Sequence, residues 1–111
     1  MRTLERDQET TRLIARRPRP LRLLCRFGGH SHLWRLREPS VTLGRGSGNT
    51  LVFDDRKVSR HHARIENRED GWRIVDLGSG NGVRVNGRKI ETAFLAPGDE
   101  IRIGGVTIEV L

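Results

Sequence analysis

From Leu21 onward the chain alternates apolar and polar residues with a period of two. Leu21, Leu23, Cys25 and Phe27 fall on one face, the spacing of a half-buried strand. Gly28-Gly29-His30 turns the chain and Leu33 to Leu36 returns, which predicts a hairpin. After a break at Pro39-Ser40, short runs follow at Val41–Leu43, Leu51–Phe53, Ala63–Glu66, Trp72–Leu77 and Val83–Val85, then at Ile101–Ile103 and Val106–Val110. Turn residues separate them: Asp54-Asp55, Asp70-Gly71, Asn86-Gly87, Pro97-Gly98-Asp99 after Phe94-Leu95, and Gly104-Gly105. Asn-Gly at 86–87 is the pair a type I′ hairpin asks for. Many short, evenly spaced strands without a long helical period predict an all-β sandwich.

Residues 1–20 do not share this pattern. They are polar and charged, carry too few apolar residues to bury, and end in Arg16-Arg17-Pro18-Arg19-Pro20. The expectation is a mobile basic tail (1–20) ahead of one folded domain (21–111). A helical turn near Leu13-Ile14 would be weak alone, and the prolines oppose a helix running into the domain.

Composition adjusts this picture at three points. The sole cysteine, Cys25, excludes an internal disulfide, fits a reducing compartment, and reads as a core residue on the inner face of its strand. No apolar run approaches the ~20 residues that span a bilayer, and residues 1–20 hold no signal-peptide core, so no membrane is expected and the location reads as cytoplasmic. The net charge of +7 with a pI near 11.3 invites nucleic acid, but suits an acidic phosphopeptide equally. Much of that excess lies in the tail and in Arg22, Arg26, Arg35 and Arg37.

The chemistry concentrates in three loops: Gly44-Arg45, Ser59-Arg60-His61-His62 and Ser79-Gly80-Asn81-Gly82. Catalysis finds no support in them. Ser59 and His62 at i and i+3 make no triad, and the chain has no Gly-x-Ser-x-Gly elbow. Gly44-Arg45-Gly46-Ser47-Gly48 lacks the lysine and helix of a phosphate loop, and Gly78, Gly80 and Gly82 sit between strands, outside a dinucleotide context. Four histidines and one cysteine close no metal site, because the adjacent His61 and His62 point to opposite faces. No cofactor is implied.

Anion binding does fit. A phosphomonoester carries about −1.5 to −2 charges and three acceptor oxygens. Arg45 offers a bidentate fork, Ser59 a hydroxyl donor, and the glycines allow close approach of backbone N–H groups.

Together, Gly44-Arg45, Ser59-x-x-His62, Ser79-x-Asn81-Gly82, Val85-Asn86-Gly87 and Leu95-x-Pro97-Gly98-Asp99-x-Ile101-x-Ile103-Gly104 resemble a forkhead-associated (FHA) domain, in order and over roughly Leu21 to Leu111. The resemblance implies an eleven-stranded sandwich whose apical loops bind phosphothreonine peptides. It implies that Arg45 and Ser59 grip the phosphate, that Arg60 adds charge or holds the peptide backbone, and that Asn81 bonds the peptide main chain. Gly44, His62, Gly82 and Asn86 would shape the loops. Two positions depart from the family pattern. Gly80 stands where many members have Thr or Ser, so a backbone N–H would have to replace a hydroxyl contact, and Val83 stands where Thr often follows Asn-Gly.

The tail carries Glu9-Thr10-Thr11, similar to the phosphosite of glycogen-accumulation-regulator-type bacterial FHA proteins. That likeness implies a Ser/Thr protein kinase as partner, with Thr10 or Thr11 phosphorylated and the tail docking on its own domain. The alternative is a basic β-module that binds nucleic acid or an acidic surface regardless of phosphorylation. Few aromatic residues are left for base stacking: Phe27, Phe53, Trp72 and Phe94 all sit in apolar strand patterns, and Trp34 is the one the pattern places least clearly.

Overall fold

The computed structural model describes residues 20–111, which form eleven strands and no helix. The strands are β1 Leu21–Phe27, β2 His30–Leu36, β3 Ser40–Gly44, β4 Leu51–Val52, β5 Ala63–Arg68, β6 Gly71–Asp76, β7 Val83–Val85, β8 Arg88–Ile90, β9 Thr92–Phe94, β10 Glu100–Ile103 and β11 Val106–Val110. They build two sheets, ordered β2-β1-β11-β10-β7-β8 and β4-β3-β5-β6-β9. All pairings are antiparallel except β3 with β4.

The period-two pattern is what packs the sheets together. Leu23, Val41, Leu43, Ile65, Ile74, Val83, Ile101, Ile103 and Ile108 are fully buried between them, each gaining roughly 1.5–3 kcal/mol of transfer free energy. Cys25 lies in the same layer, where burial pushes its thiol up to about 12. The inner-face reading of Cys25 therefore holds, and its thiol is protonated and inert at neutral pH.

Two hairpin turns explain local differences from the pattern. Gly28 and Gly29 both have positive φ (58° and 77°), which closes a two-residue turn with His30 already paired to Phe27. Strand β2 thus begins three residues earlier than Leu33, because backbone pairing continues through the exposed His30, Ser31 and His32. At the other hairpin, Asn86 (φ 52°) and Gly87 (φ 83°) supply the double positive φ of a type I′ turn. Its return strand β8, and β9 beyond it, are three residues each and mostly exposed. Phe94 departs from the core reading: it sits on the edge strand β9 and is 56% exposed.

Candidate functional site

The connections β3–β4, β4–β5 and β6–β7 meet at one end of the sandwich, tied by hydrogen bonds between loops. The Arg45 N–H donates to the Ser59 carbonyl (2.9 Å) and the Gly46 N–H to the Arg60 carbonyl (3.1 Å). Gly44 is required here by proximity. A β-carbon on it would overlap the Arg60 carbonyl oxygen and crowd Asn49 Nδ2, so the two loops close only over a glycine.

Arg45 is exposed, but its side chain is anchored. Nε donates to the Val58 carbonyl at 3.1 Å, which restrains the plane of the guanidinium. Ser59 Oγ accepts a hydrogen bond from the Gly80 N–H at 3.0 Å. With one lone pair engaged, the hydroxyl proton is left to donate to an incoming acceptor. The Gly80 amide is thus engaged by Ser59. Asn81 Nδ2 donates to the Lys57 carbonyl at 2.9 Å, which holds the exposed amide in one orientation. Arg60 is exposed beside Ser59.

His62 lies beneath these groups with no exposed surface. Its Nδ1 accepts from the Ser59 N–H at 2.9 Å, and Nε2 faces the Gly82 carbonyl at 2.7 Å. Since Nδ1 meets a donor it must carry the lone pair, so Nε2–H donates to Gly82. One imidazole therefore spans the second and third loops. Asn86 fixes the β7–β8 turn from outside the site: its Nδ2 donates to Asp99 Oδ1 (2.9 Å), and its Oδ1 accepts from the Glu100 N–H (2.9 Å).

Two supporting residues escaped the sequence reading. Asn49 is buried and its Nδ2 bridges the Gly46 and Arg60 carbonyls at 2.8 and 2.6 Å. The signal was an amide inside Gly48-Asn49-Thr50, which reads simply as a turn. Asp55 accepts from the Lys57 N–H (3.0 Å) and the Gly105 N–H (2.7 Å), joining the β4–β5 loop to the β10–β11 turn. Those two backbone bonds, Lys57 first, hold its carboxyl below the usual aspartate value.

The structure thus gathers Arg45, Ser59, Arg60, Gly80 and Asn81 on one edge, with Gly44, His62 and Gly82 underneath. The candidate phosphosites Thr10 and Thr11 lie outside the described residues. Among the described residues, no group of three or more His, Cys, Asp or Glu is placed to hold a metal, and no helix is long and apolar enough to cross a membrane.

A family model for the FHA domain matches residues 41–104. The chain belongs to the FHA family. Its FHA domain is 41% identical over 76 residues to the FHA domain-containing protein FhaB of Mycobacterium tuberculosis, across 68% of this chain and 49% of that protein. It is 39% identical over 69 residues to the glycogen accumulation regulator GarA of Mycolicibacterium smegmatis, across 62% of this chain and 44% of that one. The chain spans about half the length of these relatives. A solved structure concerned with phosphothreonine-dependent FHA domain interactions superposes with a TM-score of 0.76 at 34% identity, over 83% of this chain and 95% of the other. The FHA match begins at β3 and ends after β10, so it encloses all three loops.

Proposed function

We propose that residues 21–111 form a non-enzymatic reader of phosphothreonine on another polypeptide, working in Ser/Thr kinase signalling. The observation that carries this reading is the pairing of Arg45 with Ser59. The backbone N–H of one bonds the carbonyl of the other, the guanidinium is pinned through Nε, and the hydroxyl is oriented by the Gly80 amide. A phosphate seated there would meet a guanidinium fork and a hydroxyl that need little rearrangement to bind. Arg60 would add charge, and Asn81, already held by Lys57, would bond the peptide main chain. The names of the relatives support the pathway, since GarA is a regulator.

We further propose that the tail, residues 1–20, docks on this site once Thr10 or Thr11 is phosphorylated, which closes the reader to partners. About ten extended residues reach roughly 33–36 Å, and tethering gives an effective concentration near millimolar.

Calorimetric titration of residues 21–111 with the Arg6–Ile14 peptide tests both proposals, using unmodified, Thr10-phosphorylated, Thr11-phosphorylated and doubly phosphorylated forms. A phosphorylated form should bind and the unmodified one should not, with Arg45→Ala weakening binding about 30-fold or more. If no form binds, self-docking is refuted. If a degenerate phosphothreonine library then binds no better than its unphosphorylated copy, the reader is refuted too.

A further inference from the structure

The outer face of the six-stranded sheet carries a row of cations that lies outside the three loops. Lys89 on β8 sits opposite Arg84 on β7, Arg84 opposite Arg102 on β10, Arg102 opposite Thr107 on β11, and Thr107 opposite Arg26 on β1. Ser31 on β2 ends the row. Their strand neighbours Val83, Val85, Ile101, Ile103 and Cys25 are buried, so these side chains point to solvent, and all four cations are exposed. With strands about 4.8 Å apart, Lys89 and Arg26 are roughly 19 Å from one another.

Arg84 therefore faces a like charge on both sides, an arrangement that destabilises a sheet. Arg102 Nε pairs with Glu100 Oε1, two residues along its own strand, at 3.3 Å, with both side chains more than half exposed, so this pair offsets little of the repulsion. The row also abuts the candidate site. Lys89 packs on Gly82, where an added β-carbon would lie 2.8 Å from Lys89 Cε, and Gly82 follows Asn81 directly.

We propose that this row is a second subsite, which takes an acidic stretch of the same partner chain that presents its phosphothreonine to Arg45 and Ser59. The inference rests on the phosphothreonine reading above. A stretch of about six extended residues covers the row. Its width of one residue suits a single peptide strand, because the next row along the strands holds Glu100 opposite Glu109. The two rows are roughly 6.7 Å apart. A duplex presents two phosphate chains flanking each groove, so it is wider than the cation row and would also cover the two glutamates. A flat anionic membrane would cover both rows as well. Thr107 and Ser31 offer no ring for base stacking.

The test uses the full chain and three peptides that share one phosphothreonine core. One is extended N-terminally by about six glutamates, one C-terminally by the same run, and one by glutamines. Fluorescence anisotropy at low salt should show one glutamate peptide binding about tenfold tighter than the glutamine peptide. High salt and the combined variant Arg26→Gln/Arg84→Gln/Arg102→Gln should both erase that difference, and the variant should bind the glutamine peptide as the wild type does. Equal binding of all three peptides overturns the inference, as does a tenfold difference that survives in the variant. A single-stranded RNA that binds tighter than either glutamate peptide, through the same three arginines, would also overturn it and assign the row to nucleic acid. These failures leave the Arg45–Ser59 reading intact. Loss of that reading shows separately, as glutamine-peptide binding that Arg45→Ala does not reduce.

Discussion

At the scale of single residues, the candidate site depends on side chains already committed to neighbours. Ser59 is held on three sides: its carbonyl by Arg45, its N–H by His62 and its hydroxyl by Gly80. Gly80 is the exposed member of this group with unused room. A β-carbon there would come no closer than 3.9 Å to Ser59 Oγ, and its backbone is not in the left-handed region. Gly80→Thr should therefore fold normally and add a hydroxyl donor beside Ser59. One further charge-assisted bond of about 1.5 kcal/mol predicts roughly tenfold tighter binding of a phosphothreonine peptide. Calorimetry on wild type and variant reads it; unchanged or weaker affinity would mean that the phosphate does not sit near Gly80. Arg45, Ser59 and Asn81 stood out in the sequence because their types announce phosphate chemistry. Asn49 and Asp55 did not, since nothing local distinguishes a turn-forming Asn or Asp from one bonded across loops 11 or 50 residues away.

At the scale of strands, buried faces were legible and edges were not. Strands β1, β3, β5, β6, β10 and β11 follow the apolar alternation because each faces the opposite sheet. The start of β2, and all of β8 and β9, bury little and are held by backbone pairing that side chains do not report. The outer face of β5–β6 shows a polar counterpart that pattern reading also passed over. Glu66, with its side chain 11% exposed, accepts from Arg73 Nε at 2.7 Å and from Arg64 and Arg68 Nε at 3.1 Å each. The Arg73 bond, helped by Arg68 and Arg64, outweighs burial and holds the Glu66 carboxyl at about 2, against an ordinary 4.5. A carboxyl depressed in the folded state stabilises fully above its unfolded value and ceases to do so as pH falls through its folded one. The Glu66 contribution should thus persist above pH 4.5 and fade toward pH 2. Glu66→Gln should melt at a lower temperature than wild type at neutral pH, by about 1–2 kcal/mol of stability, and the gap should narrow between those limits. A gap that stays constant with pH would show that the arginines do not stabilise the carboxylate.

At the scale of the whole molecule, the family match does not enclose all the residues that hold the sandwich together. The family match ends at Gly104 and starts at Val41, so it takes in every loop of the candidate site and omits β1, β2 and β11. Yet β11 lies inside the six-stranded sheet, between β1 and β10. It buries Val106, Ile108 and Val110, while β1 buries Leu21, Leu23 and Cys25. Without these strands, Ile101 and Ile103 lose their partners Ile108 and Val106, and the five-stranded sheet loses much of the layer it packs on. Large core deletions of this kind cost several kcal/mol per side chain, against a total stability of about 5–15 kcal/mol for a domain. A chain of residues 41–104 should therefore be unfolded, whereas residues 20–111 should give a cooperative thermal transition and bind a phosphothreonine peptide as the full chain does. Circular dichroism and calorimetry on the two fragments separate the outcomes. A folded, binding-competent 41–104 fragment would mean that the terminal strands are accessory. An unfolded one would mean that the loops hold their geometry only because the first and last strands of the domain pair beneath them.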